Sequence, residues 1–150
     1  MMPDRKARVL IVEDDEFLRR QIASYFGGRY EIHQASDRQE ALAQVRGGDV
    51  DLVLLDMRLP PHTDSIEEGL RTVSEIFAAA PGTLTIAMRG DCDRQTILSA
   101  AASGVYYFFT KPLDINELEV IIRRALDRRH LESEIRRLRE QLQEKYDFRN

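Results

Sequence analysis

The sequence predicts an α/β sandwich in which five strands of a covered parallel sheet alternate with five helices. Three observations lead there. Short apolar runs stop abruptly at polar or charged residues, as strands buried on both faces do where they leave a sheet. The segments between them carry apolar residues at three- and four-residue spacing and end at glycine or proline. A chain of 150 residues, 43% hydrophobic and 32% charged, suits one core with a charged surface.

Ala7 to Val12 is apolar except for Arg8 and meets Glu13, Asp14 and Asp15, so it reads as a buried strand with acids at its tip. Phe17, Leu18, Ile22, Tyr25 and Phe26 then recur at helical spacing up to Gly27-Gly28. Tyr30 to Ala35 alternates like a more exposed strand. Ser36 or Asp37 can cap the helix carrying Ala41, Leu42 and Val45, which stops at Gly47-Gly48. Val50 to Leu55 is a third strand, delivering Asp56 at its end. Ser65 and Glu68 form a capping-box pattern ahead of a helix with Leu70, Val73, Ile76 and Phe77 on its apolar face, ending near Pro81-Gly82. Leu84 to Met88 reads as the fourth strand. A helix from about Asp93 to Ser103 is expected to bury Ile97, Leu98 and Ala101 before Gly104. Val105 to Phe109 is the fifth strand, leading into Thr110, Lys111 and Pro112. Asp114 and Glu117 form a second capping box, and the last helix presents Leu118, Ile121, Ile122 and Ala125 to the sheet. It then outruns the domain, with Leu131, Ile135, Leu138 and Leu142 spaced as a short heptad seam.

Composition excludes several classes. No apolar run approaches the 18 or so residues of a membrane span. The single Cys92 permits neither an internal disulfide nor a cysteine metal cluster, and the charged N-terminus has no export-signal core, so a cytoplasmic location is expected. The net charge of -4 gives no global attraction to nucleic acid, and it is uneven: residues 123–150 hold nine basic against six acidic side chains. No G-x-x-x-x-G-K-[S/T] or G-x-G-x-x-G run follows the first strand, which disfavours a nucleotide-binding enzyme. Asp56 is followed by Met57-Arg58 rather than by the x-Asp expected of an aspartate-based hydrolase. His33, His62 and His130 are dispersed, and Cys92 has no evident basic partner.

In a doubly wound sheet the ligand site lies outside the strand C-termini near the reversal of strand order. Glu13, Asp14 and Asp56 would meet there. Repulsion among three carboxylates is best relieved by a hard divalent cation such as magnesium, which also takes phosphate oxygens as ligands. Lys111 would neutralise the far side of such a phosphoryl group, and Asp56 is the candidate nucleophile.

With V-L-I-V-E-D-D at residues 9–15, L-V-L-L-D-M-R-L-P at 52–60 and G-V-Y-Y-F-F-T-K-P at 104–112, the chain resembles the receiver domain of two-component response regulators over about residues 6–128. The resemblance implies a flavodoxin-like sheet of order 2-1-3-4-5. It makes Asp56 the phosphoacceptor and Lys111 the lysine that contacts the phosphoryl group. Glu13 and Asp14 would organise magnesium with Asp56 and the backbone carbonyl of Arg58, and a cis bond would precede Pro112. Two departures stand out. Receivers of this type carry Thr or Ser at the end of the fourth strand, whereas I-A-M-R-G at residues 86–90 puts Arg89 there, or secondarily Met88, according to whether Gly90 fills the small position after the switch residue. Phe108 matches the switch aromatic, or serves simply as core. The segment Pro60 to Gly69 is lengthened, with His62, Thr63, Asp64 and Glu67 read as a solvated loop, and most resembles receivers joined to sigma-54-type activator ATPases.

The charge asymmetry and the heptad spacing divide the chain into a receiver, residues 1–128, and a coiled-coil linker helix, residues 129–150, whose apolar stripe predicts a homodimer through the C-terminal helix. The resemblance implies a sensor histidine kinase as phosphodonor, and ATPase and DNA-binding output domains that this chain lacks. Such a domain is a signalling module rather than an enzyme. Direct nucleic-acid binding by Arg128, Arg129, Arg136, Arg137 and Arg139 is opposed by the interspersed Glu132, Glu134, Glu140 and Glu144. The missing hydroxyl leaves an alternative, a degenerate receiver that acts as a phosphorylation-independent dimerisation module.

Overall fold

The computed structural model describes residues 6–61, 63, 65–89, 94–110 and 114–147. Along them run β1 (Arg8–Val12), α1 (Glu16–Phe26), β2 (Glu31–Ala35), α2 (Arg38–Arg46), β3 (Leu52–Asp56), α3 (Glu67–Ala79), β4 (Leu84–Arg89), α4 (Arg94–Ala102), β5 (Tyr107–Thr110) and α5 (Ile115–Asp147). The strands form one parallel sheet in the order β2-β1-β3-β4-β5, as expected.

Strand parity divides the core in two, because successive side chains point to opposite faces. Leu10, Val12, Val53, Leu55 and Ala87 meet α2 and α3 on one face, packing on Ala41, Leu42, Val45, Val73 and Ile76, with Ala100 of α4. Val9, Ile11, Leu52, Leu54, Ile86 and Met88 meet Ile22 and Phe26 of α1 and Leu118, Ile122 and Ala125 of α5 on the other. Burial on both faces is why the central strands read as continuous apolar runs.

Local chemistry sets most helix starts. Asp15 caps α1 by accepting from the Leu18 N–H (3.2 Å), and Asp37 caps α2 through the Glu40 N–H (2.8 Å). Asp114 accepts from the N–H groups of Asn116 and Glu117 at the start of α5. The expected Ser65–Glu68 capping box does not form. The residue before α3 is Ile66, Ser65 Oγ accepts at 3.4 Å from the Glu67 N–H, and Glu68 is drawn instead to Arg38 of α2 (2.9 Å). Arg38 also bonds Glu75 (2.8 Å), so a mostly covered guanidinium takes two carboxylates and ties α2 to α3. Burial works to raise the Glu75 carboxyl, but the hydrogen bond and charge of Arg38, with Arg71 behind them, outweigh it and hold the group below its ordinary range.

Helical faces are narrower than the sequence suggests. Phe17 is 76% exposed, Phe77 53% and Leu98 54%, with Ile97 and Ala101 also exposed, leaving Ala100 as the buried residue of α4. Phe77 sits one 100° step past the inward-facing Ile76 and covers Gly104, whose φ of 106° suits glycine and whose missing Cβ would lie 3.3 Å from the Phe77 ring.

At the sheet's N-terminal pole, Asp51 is buried. Its Oδ2 accepts from the Arg8 N–H (2.7 Å) and its Oδ1 from Arg129 Nη1 (2.7 Å), while Arg129 Nε donates to the Gly82 carbonyl (2.8 Å). One α5 side chain thus binds the segments that lead into β3 and β4. Beyond it Leu131, Ile135, Leu138 and Leu142 are all exposed on a helix of 33 residues, about 50 Å long. Among the described residues no helix is long and apolar enough to cross a membrane.

Candidate functional site

The register explains how the acids meet. β1 pairs with β3 so that Val12 lies opposite Leu55, and the next residue on each strand is a carboxylate, Glu13 and Asp56. These are the strands at which the chain order reverses, where doubly wound sheets place their ligands. Glu13 is 1% exposed and Asp56 5%, whereas Asp14 is open to solvent. One carboxylate oxygen from each of the three lies within 4.8 Å of the others. Such a set of hard oxygen donors suits a divalent cation.

The surrounding backbone holds the cluster in place. The Arg58 N–H donates to Asp56 Oδ1 (2.8 Å), fixing the carboxylate against the turn that leaves β3. The Asp15 N–H donates to Glu13 Oε2 (3.3 Å), and Arg19 Nη1 to the Glu13 carbonyl (2.8 Å), with Arg19 Nε on Gln34 (3.0 Å). On the other side of Asp56, Met88 is its register partner, and the Met57 N–H donates to the Met88 carbonyl (2.9 Å).

Gly69 is a positioning residue that its side-chain chemistry does not announce. A Cβ there would sit 2.7 Å from Met57 Cα and 2.8 Å from its carbonyl carbon, closer still to the oxygen. The missing side chain lets α3 press against the backbone immediately after Asp56. Sequence reading passed over it; a glycine within E-E-G-L-R, otherwise good helix-forming sequence, is the signal that would have found it.

The two switch candidates separate by strand parity. Met88 is fully buried on the α1/α5 face, while Arg89 falls on the opposite parity with Ala87, the register partner of Phe108. Phe108 is half-buried against the α2/α3 core. Lys111, Pro112, His62, Asp64 and Cys92 lie outside the described residues; Pro60-Pro61, in the segment after β3, is a cis bond. His33 pairs with Glu31 (2.7 Å), away from the acids, and His130 is exposed on α5.

Fold and site together define a doubly wound α/β domain with a carboxylate cluster at its topological switch point. The family model described as response regulator receiver domain matches residues 9–123. Regulatory protein AtoC of Escherichia coli K12 is 30% identical over 136 residues, 90% of this chain and 28% of that protein. Transcriptional regulatory protein ZraR of the same strain is 31% identical over 69% of this chain and 22% of its own length. Among solved structures, the signal receiver domain of an HD-domain-containing protein from Pseudomonas fluorescens Pf-5 superposes with a TM-score of 0.78 at 30% identity, covering 87% of this chain and 93% of that one. NtrX from Brucella abortus in complex with ADP gives 0.79 at 29%, covering 89% and 30%. The chain belongs to the response regulator receiver domain family, a class of phosphotransfer signalling modules, and spans less than a third of the curated relatives cited.

Proposed function

We propose that Asp56 accepts a phosphoryl group from a partner histidine kinase and that the resulting state is passed to α5. The observation that carries this reading is the buried carboxylate of Asp56, pinned by the Arg58 N–H within 4.8 Å of two further acids. An Asp56 oxygen attacks the phosphorus of a phosphohistidine, an acyl phosphate bond forms, the P–N bond breaks, and the histidine nitrogen keeps the electron pair and takes a proton. Magnesium is the proposed cation, with Glu13, Asp14, Asp56 and the Arg58 carbonyl as its holders; when bound it supplies charge neutralisation of the transferring oxygens. Lys111 is assigned the remaining charge compensation, and Arg89 and Phe108 the switch positions.

The output is assigned to the long helix. Residues 1–128 are read as the receiver and 129–150 as a linker that pairs with a second copy through Leu131, Ile135, Leu138 and Leu142, whose exposure on an isolated chain is otherwise unfavourable. Ile97, Leu98 and Tyr107 expose further apolar surface at α4 and β5, where a phosphorylation-dependent shift would alter pairing. Transcriptional control fits the relatives' names, and their greater length leaves room for output domains; the sequence resemblance assigns these as a sigma-54-type ATPase and a DNA-binding domain, in a cytoplasmic protein. The missing switch hydroxyl is the observation behind the second reading, a scaffold that dimerises without phosphorylation. Intact-mass measurement after incubation with acetyl phosphate and magnesium separates the two. A phosphoryl adduct lost in Asp56→Asn supports phosphotransfer; no adduct on the wild-type chain, or one that survives Asp56→Asn, defeats it.

A further inference from the structure

Arg89 is the last residue of β4, one position beyond Met88, the register partner of Asp56, and beside Thr110 at the end of β5. With strands about 4.8 Å apart and about 3.3 Å per residue, its Cα lies about 6 Å from that of Asp56. Its Nε is shielded from solvent and has no hydrogen-bond partner among the described residues. A guanidinium keeps its charge and offers five donors in a planar fork, so an unpaired covered N–H is costly until an acceptor arrives. A phosphoryl group on Asp56 would bring acceptor oxygens out to the strand tip, where β4 ends at Arg89.

We propose that Arg89 is a phosphoryl-oxygen ligand, a guanidinium clamp that closes on phosphorylated Asp56 and stabilises that state where a neutral hydroxyl would give one weaker bond. The proposal rests on the phosphoacceptor reading of Asp56. It also predicts effects of opposite sign on two ligands. The Arg89 charge repels a cation held by Glu13, Asp14 and Asp56, yet attracts an anionic phosphoryl group at the same place.

The test uses magnesium alone and beryllofluoride, a phosphoryl mimic, titrated onto the full chain and its variants. Arg89→Met is expected to bind magnesium as tightly as wild type or several-fold tighter. At saturating magnesium it should bind beryllofluoride about tenfold more weakly, the loss of a charge-assisted bond. General damage to the site would weaken both. Arg89→Lys, which keeps the charge and loses the fork, should fall between; it decides the matter if the methionine variant does not fold. Beryllofluoride affinity within twofold of wild type in Arg89→Met, or in Arg89→Lys where only that variant folds, overturns the clamp. A wild-type chain that binds magnesium but neither beryllofluoride nor a phosphoryl group from acetyl phosphate overturns the Asp56 reading instead.

Discussion

Replacing Arg129 by Met tests how α5 is secured to the receiver. The substitution keeps most of the aliphatic stem but removes two hydrogen bonds, to Asp51 Oδ1 at 2.7 Å and to the Gly82 carbonyl at 2.8 Å. Asp51 is 6% exposed at its side chain and Arg129 29%, so the pair lies between a surface bridge, worth under about 1 kcal/mol, and a buried one whose breakage costs about 3–5 kcal/mol. We expect a loss of about 2–3 kcal/mol. At about 2–4 °C per kcal/mol for a domain of this size, Tm should fall by about 4–12 °C. Thermal and urea unfolding measure the effect, and a double-mutant cycle with Asp51→Asn should return a coupling of about 1 kcal/mol or more. A loss below about 0.5 kcal/mol, the value of an ordinary surface change, would refute the claim that this contact anchors the helix.

Four further outcomes are expected. Gly69→Ala should destabilise the fold by about 1–3 kcal/mol, because the new Cβ meets Met57 backbone rather than a movable side chain; unchanged urea unfolding would contradict the close approach. Asp14→Asn should weaken magnesium binding by about tenfold without altering stability, as read by calorimetric titration and melting. Since the Glu75 carboxyl lies below its ordinary range when folded, the Arg38 contact contributes stability above the unfolded carboxylate pKa of about 4.3 and loses it as pH falls through the folded value. Urea unfolding between pH 6 and about pH 3 should therefore decline less steeply in Arg38→Met than in wild type. Leu131→Asp with Leu138→Asp should convert a dimer to a monomer in concentration-dependent light scattering while sparing the receiver's melting; a wild-type chain that is monomeric throughout the micromolar range would end the pairing proposal.

The sheet was legible because burial on both faces leaves a plain record: apolar runs such as Val9–Val12 and Leu52–Leu55, each ended by an acid. The acids were legible for the same reason, since each stands where such a run stops and the strand leaves the sheet. Helix faces were read too widely. An apolar residue at helical spacing can fall at the edge of the buried stripe, as Phe17, Leu98 and Phe77 do, and periodicity alone does not say where coverage ends. The Ser65–Glu68 pattern failed because Arg38, on another helix, offers Glu68 a stronger partner than a backbone N–H.

By itself the sequence determined the alternation of elements, the two-sided core and the acids at the strand tips, because these depend on local periodicity and on where polarity interrupts it. Strand parity further decided that Arg89 and not Met88 shares a face with Phe108, but only once the strand bounds and register were known. What the tertiary structure alone decided lies in long-range partnerships: Gly69 against Met57, Arg38 between two α3 carboxylates, and Arg129 on Asp51, 78 residues away. Each depends on which side chains the fold brings within bonding distance, and sequence spacing carries no record of that.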